Sequence, residues 1–416
     1  MTENTSLIRN PEFVKLWVGQ TISVFGSEIT GLALPLTAVL ILQASPAQMG
    51  ILGAMGMLPF ILIGLFAGVW ADRVRRRPIL MAADFGRFLL LASVPVALLV
   101  GFLTIEYLYV VTFLIGILTV FFDVSYQAFL PALVGREHLV EGNSKLEISS
   151  SAARVAGPGI AGWIIQTLTA PVAIIFDSFS YLLSAVSLRL IRDVEEEIHR
   201  DERPPNIWRE IREGLGVIFG NRLLWSIAGC TGTSNLFGSI TQAIFLLYLT
   251  RELDVPPALL GVIFGAGAVG ALLAAFFAKR VADRVGLGGA IVGSMVLIQV
   301  MGVLVVLASG PVWLVAGLLI LSGVGQGFGN VVYNVNQVSL RQAITPNRLL
   351  GRMNASMRFL VWGTIPIGSL IGGFLGEAIG LRPTIAVGAI GGFLAVAWVF
   401  FSPVRMLEKQ PEVVTE

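Results

Sequence analysis

The side chains of this sequence that could do chemistry are few, and the first of them is a carboxylate within an apolar run. Glu28 lies about halfway along that run, where an ionised carboxylate is costly unless paired. It is a candidate for exchanging a proton or attracting a cation, with a structural pair to Arg154 as the equal alternative. Arg154 lies in the inner third of another apolar run and needs a partner of its own; Asp177, near Ser178 and Ser180, is the second acid of this kind. Asp84 and Arg87 stand three apart near a helix end, a spacing that predicts an ion pair on the helix surface. Asn235, Ser239 and Gln242 share one helical face, as do Gln326, Asn330, Asn334 and Gln337. Gln20 and Ser27 accompany Glu28, and Asp123, Tyr126 and Gln127 mark a further run. Phe25, Phe121, Phe122, Phe237, Phe245 and Tyr333 lie among them, so a cavity built from these faces is mostly apolar with sparse hydrogen-bonding groups. Such a surface suits large amphipathic molecules better than sugars or phosphates. For any single amide, an interhelical hydrogen bond is at least as good an account.

These residues need elements that cross a bilayer. Of 416 residues 55% are hydrophobic and 13% charged, with a mean hydropathy of +0.83, more apolar surface than a water-soluble core could hide. Windows of about 20 apolar residues fall near 16–42, 48–70, 79–102, 107–129, 147–167, 171–191, 223–249, 258–278, 288–308, 312–336, 355–378 and 383–402. The first is too long for a removable signal peptide and follows a polar leader. Arg73, Arg75 to Arg77, Arg136, Lys145, Lys279, Arg280, Arg284, Arg341, Arg348 and Arg352 cluster on one side of these spans. By the positive-inside rule that side is cytoplasmic, together with both termini. The longest polar stretch divides the chain into an N-terminal bundle (1–191), a linker (192–222) and a C-terminal bundle (223–416). In the linker Trp208, Ile211, Leu215 and Ile218 oppose Arg209, Glu210 and Arg212, which predicts an amphipathic helix resting on lipid headgroups.

Other chemistries find little support. Cys230 is the single cysteine, so neither a disulfide framework nor a thiolate metal site forms within one chain. His138 and His199 are too far apart to suggest a metal site. There is no Gly-x-x-x-x-Gly-Lys-Ser/Thr loop for ATP, and no nucleophile and base constellation for an enzyme. The expectation is no cofactor, no metal and no nucleic-acid partner.

The chain also repeats itself. Ala71-Asp72-Arg73-Val74 recurs as Ala282-Asp283-Arg284-Val285, 211 positions on (282 − 71). The same offset carries Asn143 onto Asn354, the segment from Gly157 to Trp163 onto that from Gly368 to Phe374, and the segment from Val120 to Asp123 onto that from Val331 to Asn334. Parallel repeats of this length build many secondary transporters.

Gly68-Val69-Trp70-Ala71-Asp72-Arg73-Val74-Arg75-Arg76-Arg77 resembles the signature loop of the major facilitator superfamily, Gly-x-x-x-Asp-Arg-x-Gly-Arg-Arg, with Arg75 in place of the second glycine. Ala153 followed by Gly157, Pro158, Gly159, Ile160, Ala161 and Gly162 is similar to that superfamily's antiporter motif, with alanines at two glycine positions. With the opening Arg9-Asn10-Pro11-Glu12-Phe13 and Leu16-Trp17, the chain looks most like the branch that holds macrolide-efflux and enterobactin-export proteins. The resemblance implies an all-α membrane protein of twelve transmembrane helices in two pseudo-symmetric six-helix halves. It also implies a proton-coupled exporter of amphipathic small molecules in the inner membrane: a monomer whose partners are its substrate, protons and membrane lipids. Import or flipping of a lipid-like solute, or a transport-inactive sensor, are the alternatives. In the family Asp72, Arg73 and Arg76 join an acid low in helix 4, a role that fits Asp123. The repeat replaces Asp123 by Asn334 and Arg76 by Leu287, losing both members together.

Overall fold

A computed structural model describes residues 7–64, 74–192 and 207–411, with only the backbone described at 136, 207, 208, 210, 211 and 347. The described residues are helical throughout and contain no strand. With no water in the hydrocarbon to satisfy backbone groups, a helix is the element in which each segment bonds itself.

The first unit, 1–44 with 55–205, contains α1 (Pro11–Leu36), the C-terminal part of α2 (Pro46–Leu62), α3 (Arg76–Leu99), α4 (Ile105–Val134), α5 (Leu139–Thr167) and α6 (Ala170–Leu190). In it α6 packs on α1 and α3, α5 on α1, and α4 on α3. The second unit, 45–54 with 206–416, contains α7 (Ile207–Gly220), α8 (Arg222–Leu247), α9 (Pro257–Leu307), α10 (Val312–Ala343), α11 (Leu350–Trp362), α12 (Thr364–Ile379), α13 (Leu381–Gly391) and α14 (Phe393–Phe400). There α12, α13 and α14 pack on α8, and α9 packs along α10.

Eight helical segments among the described residues are long and apolar enough to cross a membrane. The difference from twelve has local causes. The run 48–70 enters the undescribed stretch. The run 147–167 shares α5 with Lys145, Glu147 and Arg154, and that of 223–249 is rich in Ser, Thr and Asn. The runs 258–278 and 288–308 are both in α9, whose 51 residues are interrupted at Gly286 (φ 76°).

The 211-residue offset is present in the backbone as well as in the sequence. Asn10 caps α1 by accepting from the N–H of Glu12 (3.0 Å) and Phe13 (3.3 Å). Asn221 caps α8 in the same way, from Leu223 (2.9 Å) and Leu224 (3.3 Å). α1 ends in a π-helical turn, Thr37–Ile41, and α8 in another, Tyr248–Glu252. Each is followed by a left-handed residue, Gln43 (φ 53°) and Asp254 (φ 50°).

The expected linker helix forms, and part of its apolar face meets protein. α7 lies against α11: Ile218 is fully buried with Leu224, Met353, Met357 and Val361, while Leu215 is half-buried. A Cβ on Gly214 would lie 2.9 Å from the carbonyl carbon of Arg352, so this glycine lets the two backbones approach. Glu213 bonds Arg209 (2.8 Å) and pairs with Arg352. The Arg209 hydrogen bond, with Arg352 beside it, holds the Glu213 carboxyl below its ordinary value. The side chains of Trp208, Glu210 and Ile211 lie outside the described residues.

Candidate functional site

The first unit has a charged interior. Asp84 and Arg87 occupy successive turns of α3, so both point the same way, and that way is inward: they are 0% and 5% exposed. This corrects the expected surface pair. Their nearness to Arg75, Arg76 and Arg77 in sequence suggested a helix end, but α3 starts at Arg76 and α6 covers this face. Arg87 Nη2 lies 2.5 Å from Asp84 Oδ1. Ser184 Oγ donates to Asp84 Oδ2 (2.6 Å) and accepts from Gln20 Nε2 (3.0 Å). The Arg87 guanidinium is held between the rings of Phe122 (4.3 Å) and Tyr181 (4.4 Å), a favourable setting for a desolvated cation. Tyr181 shares a hydrogen bond with Ser27 (2.8 Å), and Tyr126 stacks on Phe122 with centroids 5.7 Å apart.

Asp177 belongs to the same interior. On α6 it precedes Ser180, Tyr181 and Ser184 by three, four and seven residues, so all four share a face. Asp177 is 1% exposed. Its Oδ1 accepts from Ser180 Oγ (2.9 Å), and the Thr30 side chain is a second hydrogen-bonding neighbour of the carboxylate. Gly26 makes room for it, since a Cβ there would run into Asp177 and Ser180. Two acids therefore lie in the field of one arginine, and among the described residues only Asp84 is in an ion pair with it.

Glu28 follows Gly26 by two residues on α1 and is half-buried. Its stem meets the small-residue face of α5: a Cβ on Gly157 would lie 2.5 Å from that of Glu28. Arg154 lies 3.9 Å from Glu147 and also acts electrostatically on Glu28, and its side chain is 61% exposed. The two glutamates differ in reach: Glu147 lies two turns from Arg154 along α5, toward the polar helix end. Gly157, Pro158, Ala161 and Gly162 are all buried. At Gly157 this face packs within the first unit, on α1. Gly368 repeats the contact against Ser239, 211 residues from Glu28.

The second unit holds a cavity of about 130 Å³. Gln242 and Phe245 of α8, Gln299 of α9 and Gln326 of α10 line it. Gln242 and Gln326 are thus brought together from the two predicted faces. Gln299, 7% exposed, was not singled out in the sequence, although an amide within the apolar run 288–308 is a signal of the same kind. Asn235 and Asn330 are otherwise engaged: one donates to Val361 O (2.7 Å), the other to Gln326 O within its own helix (3.0 Å). Phe25 is half-buried in α1.

Of the signature loop, Asp72 and Arg73 lie outside the described residues. Arg76 opens α3, and Asp123 is on an exposed face of α4. Arg77 donates to the carbonyls of Leu188 (2.9 Å) and Arg189 (2.6 Å), tying the start of α3 to the end of α6.

Long apolar helices, a chain that repeats itself at a fixed offset and a charged interior in the first unit fit a solute carrier, and the family comparison decides. The family model described as Major Facilitator Superfamily matches residues 16–334 and 229–415. The chain belongs to this superfamily. It is therefore a multi-pass membrane protein of a transporter family, not an enzyme. This facilitator is 26% identical over 417 residues to the multidrug efflux pump Tap of Mycolicibacterium fortuitum, covering 97% of this chain and 98% of Tap. It is 24% identical over 229 residues to macrolide efflux protein A of Streptococcus pyogenes, covering 54% of this chain and 55% of that one. The chain thus spans about half the length of some curated relatives and nearly all of Tap. Among solved structures, a bacterial homologue of the iron transporter ferroportin in an inward-facing state superposes with a TM-score of 0.73 at 18% identity, over 95% of this chain and 99% of that one. At that identity the likeness is one of fold.

Proposed function

We propose that this facilitator exports amphipathic small molecules, of the drug or macrolide kind, by alternating access coupled to proton entry. In this reading twelve spans form two six-helix halves, 1–191 and 223–416, joined by 192–222 and related by a pseudo-twofold along the membrane normal. The protein acts as a monomer in the inner membrane with both termini cytoplasmic. The observation that carries the reading is the interior of the first unit, where Asp177 is 1% exposed and, among the described residues, makes no ion pair of its own beside the Asp84–Arg87 pair. A buried acid without its own cation is suited to load and release a proton. Glu28, two residues from Gly26 and half-buried, is the group through which that proton exchanges with the transport path. The amides of the second unit supply sparse polar contacts to an apolar substrate. Asp72, Arg73, Arg76 and Asp123 form the gating charge cluster. The names of Tap and macrolide efflux protein A support the direction and the substrate class.

Inverted vesicles test this. With an inside-acid gradient imposed, they are expected to accumulate a labelled macrolide or lipophilic dye, and to stop when the gradient is collapsed. Accumulation only in right-side-out vesicles would mean import, and binding without flux would mean a sensor.

A further inference from the structure

A second cavity, of about 820 Å³, opens at the polar end of the second unit, where α9 is interrupted and the C-terminal segment returns. Lys279, Asp283, Arg284, Arg405, Glu408 and Lys409 line it, four cations against two acids. Among the described residues none of the six makes an ion pair. The cleft is built rather than incidental. Gly286 takes a left-handed conformation (φ 76°), so the chain turns and the N–H groups of Leu287 and Gly288 reach the carbonyls of Glu408 (3.2 Å) and Leu407 (2.7 Å). Gln410 Nε2 fixes the segment further on, at Ser339 O (3.2 Å). A Cβ on Gly288 would lie 2.7 Å from the backbone of Arg405, so a glycine is needed for the segment to lie this close. Arg405 in turn lies over the Phe400 ring at 5.3 Å. Exposed apolar side chains adjoin this cleft: Met406 is part of its lining, Phe276 precedes Lys279 by three residues and Phe401 precedes Arg405 by four.

We propose that the cleft binds the phosphate headgroup of an anionic phospholipid. The unpaired cations take the phosphate, and the exposed aromatic and Met side chains flank its acyl chains. A net positive charge without internal pairs selects an anion, and the adjoining apolar surface selects one that carries lipid chains over a soluble phosphate. The site uses the second copy of the repeated Ala-Asp-Arg-Val segment, which the transport proposal leaves without a role.

The test uses the full chain reconstituted in phosphatidylcholine nanodiscs with a minor share of phosphatidylglycerol, followed by native mass spectrometry of the lipids that stay bound. The wild type is expected to retain phosphatidylglycerol selectively. Lys279→Gln/Arg284→Gln/Lys409→Gln is expected to lose affinity roughly fivefold for each charge removed. Arg212→Gln/Arg222→Gln/Arg348→Gln, which removes as many charges outside the cleft, should leave retention unchanged. Lys409→Gln alone, at an exposed position, gives the single-charge step without risk to the fold. Equal losses in the two triple variants, or no selectivity in the wild type, would overturn the proposal. Displacement of the bound lipid by inorganic phosphate would overturn the lipid assignment.

Discussion

The two repeats bury different chemistry at equivalent positions. In the first, Asp84, Arg87, Asp177, Tyr181 and Ser184 form a charged and hydroxyl-rich interior; 211 residues on stand Met295, Ile298, Gly388, Gly392 and Ala395. Met295, Ile298 and Ala395 belong instead to an apolar cluster with Ile227, Ile291 and Tyr333. The bulk has changed sides as well. Gly26 leaves space for Asp177 and Ser180 in the first repeat, whereas its counterpart Phe237 fills the space left by Gly391. One fold is thus stable with either filling. A buried ion pair is seldom the more stable choice, so its presence in only one repeat indicates a use that stability does not explain.

The comparison is broken most severely at Arg87. Arg87→Ile leaves two buried carboxylates without their cation and should cost about 3–5 kcal/mol, seen as loss of the monodisperse peak in heated size-exclusion runs. Asp84→Met/Arg87→Ile, which installs the residues of the second repeat, should recover most of that stability. A double variant no better than the single one would show that the pair is not a unit.

Next in size are the glycines. Gly157→Leu and Gly368→Leu overfill the same contact in the two repeats and should each cost about 1–3 kcal/mol, blocking turnover while substrate binding persists. Unequal effects would show that the small-residue face is used differently in the two. Smaller still, Gln242→Ala and Gln326→Ala should weaken binding roughly twofold to threefold, the size of one interhelical-strength hydrogen bond, as read by equilibrium binding of a labelled macrolide. Asn235→Ala should lower thermal stability instead, because its amide serves Val361.

The smallest effect concerns α7. The Glu213 carboxyl is held below its ordinary 4.5, so its contribution to docking is complete above that value and fades as pH falls through the lower, folded-state value. Hydrogen exchange in 207–220 should therefore stay slow at pH 5 and rise only in stronger acid; a rise already at pH 6 would assign the docking to other groups.

Much of this was legible in the sequence, and the gaps have physical causes. The small-residue face and the amides Gln242 and Gln326 could be read because each depends on local spacing, and the offset because it is a direct match of one segment to another. The π-helical turns could not, since Thr37–Ile41 is mostly apolar while Tyr248–Glu252 ends in Arg251 and Glu252, and the two share no residue at matching positions. Burial of Asp84 and Arg87 depends on which neighbour covers α3, information that a periodic pattern does not contain. The docking of α7 was hidden for the same reason: an apolar stripe fits a headgroup layer or a helix equally well, and Gly214 gains meaning only once Arg352 stands opposite.

The central claim is that proton coupling resides in the first repeat alone. Inverted vesicles carrying Asp177→Asn or Glu28→Gln should exchange substrate downhill at near normal rates yet fail to concentrate it under an imposed pH gradient, while Ser239→Ala, at the position equivalent to Glu28, should still concentrate it. Uphill accumulation by both acid variants, or its loss in Ser239→Ala alone, would contradict the account.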